Sequence, residues 1–170
     1  MKTGVFLILI FKVCCAFADT YPLIEAIQEK KAVADIRELL DKGADVNAID
    51  MEFLRRRKSV LCYAIDRGKD SESLKIINLL ISRGADVNGV IYNRVEGSFY
   101  GFMPLLTYAV IYSSPEVVRL MLDAGAEGKK PVEASDMDFK KSALEVARML
   151  ARPEIVKMLK DKEALERKSK

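Results

Sequence analysis

The chain has 170 residues, half of them hydrophobic, and 28 basic against 25 acidic side chains give a formal net charge of +3. That length and apolar content suit one domain with a core, and the near balance of charge offers no global electrostatic case for nucleic-acid or membrane binding. Histidine is absent, which removes the commonest general base, the commonest metal ligand and the ordinary pH switch.

The first segment reads MKTGVFLILIFKVCCAFADT. Lys2 gives a positive start, Val5 to Phe11 an apolar run, and Ala16-Phe17-Ala18 a small-residue cleavage site before Asp19, the three-part pattern of a secretory signal over 1–18. The alternatives are an uncleaved anchor, for which the run falls short of the roughly 20 residues that span a bilayer, and lipidation of Cys14 or Cys15, which Lys12 disfavours. Cleavage would leave Cys62 as the one thiol and 26 basic against 25 acidic residues, a net of +1. Packing alone must then hold an exported domain together.

Beyond the leader, the chain repeats. "LLDKGADVN" (39–47) returns within "LLISRGADVN" (79–88), and a worn copy, "LMLDAGAEG", puts Gly43, Gly84 and Gly125 at a fixed spacing of 41 residues. First helices are opened by YPLIEA (21–26), SVLCYA (59–64), PLLTYA (104–109) and SALEVA (142–147), each with alanine sixth. Second helices are expected over VADIRELLDKG (33–43), LKIINLLISRG (74–84), PEVVRLMLDAG (115–125) and PEIVKMLKDK (153–162). Within them, Ile36, Leu39 and Leu40 align with Ile77, Leu80 and Ile81 and with Val118, Met121 and Leu122, one helical stripe. Pro115 and Pro153 suit helix starts, and the three glycines suit left-handed C-caps. The alanines let neighbouring units approach closely.

These openers resemble the T-P-L-H-x-A signature of ankyrin repeats, and "LLxxGADVN" resembles the end of such a repeat and the start of its projecting turn. The resemblance covers about 21–160. It implies an all-α solenoid of stacked helix-turn-helix repeats starting near 21, 59, 104 and 142, with projecting β-turn or hairpin fingers. The repeat domain is expected over 19–160, with 161–170 a polar cap or tail that ends the stack on a soluble face. Departures are a period longer than the usual 33 or so residues, hence lengthened fingers, and replacement of the signature threonine by Tyr21, Ser59, Pro104 and Ser142. Its histidine is replaced by Ile24, Cys62, Thr107 and Glu145, so reduced bracing of the turns is expected.

No catalytic constellation emerges, so a non-enzyme without cofactor or metal is expected. Asp136 and Asp138 read as a solvated turn, and Cys62 as a buried small hydrophobe. Three stretches are candidates for holding a partner. The finger over 84–104 carries Tyr92, Phe99, Tyr100, Phe102 and Met103, residue types enriched at binding hot spots. Two readings of it stand, a loop folded back on its own base and a loop presenting its rings. Arg55, Arg56, Arg57 and Lys58 form a basic fingertip suited to an acidic patch, with Lys129-Lys130 and Lys140-Lys141 extending the rim if the fingers line up. The third comes from the resemblance, which points to positions just after each signature alanine: Gln28 and Glu29, Asp66 and Arg67, and Ile111 and Tyr112, the last pair beside the aromatic finger. The expectation is a monomeric periplasmic or secreted module that binds a protein, with no nucleic acid and no membrane after cleavage. Three roles remain open: an immunity protein or inhibitor, an accessory factor of an envelope enzyme, and an effector aimed at a host protein; the competing class is an enzyme with a carboxylate or tyrosine site in the long fingers.

Overall fold

The computed structural model describes residues 21–50, 56–95, 99–134 and 139–168. The leader, Arg55, Asp136 and Asp138 lie outside them. The described chain is mostly helical, with short antiparallel hairpins between helix pairs. In order it runs α1 (Pro22–Gln28), α2 (Val33–Asp41), β1 (Ile49–Asp50), β2 (Arg56–Ser59), α3 (Val60–Arg67), α4 (Ser71–Ser82), β3 (Val90–Val95) and β4 (Phe99–Pro104). It continues with α5 (Leu105–Tyr112), α6 (Pro115–Asp123), β5 (Val132–Ala134), β6 (Phe139–Lys141), α7 (Ala143–Met149) and α8 (Pro153–Lys168).

Each unit is an antiparallel-type helix pair whose stripes face one another. In α4, Ser73, Ile76, Ile77 and Leu80 recur at helical spacing and are fully buried. Burying a side chain such as Leu80 stabilises by about 1.5–3 kcal/mol. Across units, α1, α3, α5 and α7 touch in sequence, and so do α2, α4, α6 and α8. The signature alanines Ala64, Ala109 and Ala147 are wholly buried between those first helices.

Gly43, Gly84 and Gly125 have φ of 89°, 88° and 92°, so each second helix turns left-handed where glycine alone adopts the backbone at little cost. The next residues, Ala44, Ala85 and Ala126, send their N–H groups back to Leu39, Leu80 and Met121 O at 2.9–3.0 Å. That wrap directs the chain out of the helix pair and into a finger.

The polar stretch after 160 continues α8 as far as Lys168; its Lys, Glu and Ala residues favour helix. Bracing at the openers is reduced only in part. Ser59 Oγ accepts Cys62 N–H and Ser142 Oγ accepts Glu145 N–H, both at 3.3 Å, whereas Tyr21 and Pro104 give no side-chain cap. Ser142 adds a reciprocal bond, its N–H donating to Glu145 Oε2 at 2.8 Å.

The fingers do not project singly. Their strands pair edge to edge into one six-stranded antiparallel sheet in the order β1-β2-β3-β4-β5-β6. Lengthening explains this: a longer finger makes a hairpin long enough to reach its neighbour's backbone.

Candidate protein-binding face

The helix pairs and the sheet meet along the first helices. Lys58, the third residue of β2, reaches across to α3 and α5. Its Nζ lies 2.5 Å from Asp66 Oδ2, 5.5 Å from the Tyr63 ring centroid and 5.9 Å from that of Tyr108. Tyr108 donates its hydroxyl to Asp66 Oδ1, and Tyr63 donates to Asp50 Oδ2 at 2.5 Å. Tyr108 and Tyr112, one turn apart on α5, have ring centroids 4.6 Å apart and tilted by 47°. The network joins β1, β2, α3 and α5, which come from three units.

Its electrostatics are settled internally. Lys58 and Asp66 are 20% and 30% exposed at their side chains, so their pair is only partly screened. Burial first, then the bond to Asp66, pushes the Tyr108 hydroxyl well above its ordinary pKa, so it stays protonated and a donor. Burial, and then Asp66, pushes the Cys62 thiol up to about 12, which keeps the thiolate from forming at neutral pH. Helix caps and a lysine partner hold the carboxyls of Glu38, Asp70, Glu116 and Glu145 below their ordinary values.

The predicted residues are placed unequally. Register pairs Arg57 with Tyr92, Tyr92 with Phe102, and Phe102 with Glu133, so one cross-strand row joins the basic finger, the aromatic finger and the next. Arg56 pairs with Asn93, Phe99 with Val95, and Tyr100 with Arg94. Met103 is half-buried and Phe102 is 40% exposed. Tyr112 is 54% exposed and Ile111 half-buried against the core. These two are not beside the aromatic finger: β4 runs directly into the start of α5, and they lie at its far end, about 10 Å on at 1.5 Å per residue.

Asp66 and Arg67 are engaged within the molecule. Arg67 donates to the carbonyls of Lys31 at 2.8 Å and Lys30 at 3.3 Å, tying α3 to the end of the preceding unit's first helix. The basic rim forms only in outline. β6 lies four strands from β2, roughly 19 Å at sheet spacing, while Lys129 pairs with Glu166 and Lys141 with Glu145.

No protein-family model and no curated protein matches this chain. The face therefore has to be read from its own residues.

Sequence reasoning missed Tyr63, Tyr108 and Asp50. A signal existed for the tyrosines: each stands immediately before the signature alanine, at the same position of consecutive openers. With the alanine turned into the stack, a residue one step earlier falls 100° round the helix, on the open side. The face carries a row of amphipathic rings whose hydroxyls donate to Asp66 and Asp50, beside an internally neutralised ion pair. Among the described residues, no cluster of Cys, Asp and Glu could hold a metal ion, and no helix is long and apolar enough to cross a membrane.

Proposed function

We propose that the chain is an exported ankyrin-type solenoid that binds a protein through its first-helix face and its finger sheet. The observation that carries this reading is the inter-unit seam. Asn47 donates Nδ2–H to Gly84 O at 3.1 Å and accepts Asp86 N–H at 2.8 Å; Asn88 does the same to Gly125 O at 3.3 Å and Glu127 N–H at 2.8 Å. An identical fork at identical positions of successive units is how a one-dimensional stack keeps its register. Such a stack is ordered before it meets a partner, so less conformational entropy remains to be lost on binding.

Recognition then falls to the exposed rings. Phe102 on β4 and Tyr112 on α5 are large side chains open to a partner, and Tyr63 with Tyr108 supports them. Export rests on the leader pattern at 1–18. Immunity, accessory and effector roles all fit a surface of this kind, and the genes flanking this one would separate them.

The test is affinity capture from an envelope extract with mass spectrometry, comparing wild type with a Tyr100→Ala/Phe102→Ala/Tyr112→Ala variant. Capture should fall by at least about tenfold if these rings are hot spots. Unchanged capture by a variant with native circular dichroism would sink the assignment.

A further inference from the structure

The asparagine fork points from each unit to the next. Gly43 O and Asp45 N–H are the positions equivalent to Gly84 O with Asp86 N–H and to Gly125 O with Glu127 N–H, and no side chain among the described residues reaches them. Beside these groups lies a cavity of about 440 Å³, walled by Tyr21, Pro22, Leu23, Ala44, Ala48 and Ile49, a size that accepts a large apolar side chain. Ile49, at its rim, is 45% exposed and belongs to β1, the edge strand of the sheet. Charge adds a direction. Asp45 and Glu25 are exposed and no cation pairs with either among the described residues, Asp45 using one oxygen only to accept its own turn's Asn47 N–H at 2.9 Å.

We propose that this N-terminal end is a second docking site, independent of the first-helix face, which takes an extended basic-and-apolar segment of a partner protein. The segment lies along β1 as a further strand. One apolar side chain enters the cavity, an amide bridges Gly43 O and Asp45 N–H, and a flanking Lys or Arg meets Asp45 and Glu25. Strand addition at an open sheet edge supplies the backbone bonds, and the cavity and acids supply selectivity. A second copy of this chain is the poorer occupant, because a twofold contact would bring the acidic rim against itself.

The test uses the purified full chain against a phage-displayed random dodecapeptide library, followed by titration of selected synthetic peptides. Selected sequences should share an apolar residue next to Lys or Arg and should perturb the Asp45 amide resonance. Affinity should drop by about tenfold or more in Ile49→Glu and in Asp45→Lys, both surface positions, and should weaken with added salt. Peptides without a common pattern, or binding undiminished by Ile49→Glu, would overturn the site. So would sedimentation showing a dimer that Ile49→Glu dissolves, which would give the surface to a second copy. Phe102→Ala and Tyr112→Ala should leave peptide binding intact, so failure here and failure of the first-helix reading are separately visible.

Discussion

Between units one and two, and again between two and three, an asparagine fork joins one finger to the next; between three and four the aligned residue is Lys129, which pairs instead with Glu166 on α8 at 3.1 Å. Longer cations take over there. Arg152 donates to Val110 O at 2.5 Å and Ser113 O at 2.7 Å, and Lys162 donates to Leu122 O at 3.1 Å, so the turn before α8 and α8 itself reach back to carbonyls of unit three. A carboxamide is short and carries donor and acceptor together, so it works only where the next finger lies at one fixed distance. A lysine or arginine supplies donors alone on a flexible stem, suited to the carbonyls at helix ends, where the dipole favours positive charge. Exact matching by a carboxamide therefore marks the fingers of the first two seams, whereas reaching cations serve helix ends at the first seam, through Arg67, as well as at the last.

The largest way to break this comparison is in the apolar layer that both kinds of seam share. Leu80 and Ile155 are both wholly buried, but Leu80 belongs to a unit with neighbours on both sides. Each truncation to alanine should cost about 2–5 kcal/mol in urea denaturation, with Leu80→Ala the costlier. The reverse order would show that the terminal unit, and not the middle, carries the stack.

A smaller effect separates the polar contacts. Asn88→Ala removes both arms of the fork, one of them a bond that satisfies Glu127 N–H, and should cost about 1–2 kcal/mol. Lys129→Ala, at the aligned position, breaks an exposed ion pair and should stay within about 0.5 kcal/mol. Equal losses would mean that the fork is no more than surface decoration.

The smallest effect is an acid limb. Asp70 caps α4 by accepting Ser73 N–H at 2.8 Å, and Glu145 caps α7 through Ser142; these bonds hold both carboxyls below their ordinary values of 3.8 and 4.5. A lowered folded pKa adds stability that is complete above those ordinary values and is lost as pH falls through the lower folded ones. Stability should therefore be level from neutrality to about 4.5 and decline below it. Asp70→Asn keeps a capping oxygen and removes the titration, so it should flatten that decline in pH-dependent thermal melts.

Helix positions, their caps and their buried stripes were legible because each is local: Ile76, Ile77 and Leu80 recur at helical spacing, and Gly84 closes the last turn within a few residues. The candidate face was legible only in fragments. Phe102 was picked out by residue type and Tyr112 by its place after the repeated alanine, but the length of α5 between them was not. Arg67 read as a contact for a partner by that same place after the alanine. Its partners, Lys30 O and Lys31 O, belong to the preceding unit, more than 30 positions away.

The sequence by itself determined the repeated helix pairs, their glycine ends and the lengthened connections between them, since periodicity and backbone preference act over a few residues. Only the tertiary structure decided that those connections pair into one continuous sheet and that Lys58 is held between two tyrosines and Asp66. Cross-strand register and side-chain reach between units depend on how closely the helices stack, a distance that no local pattern of residues encodes.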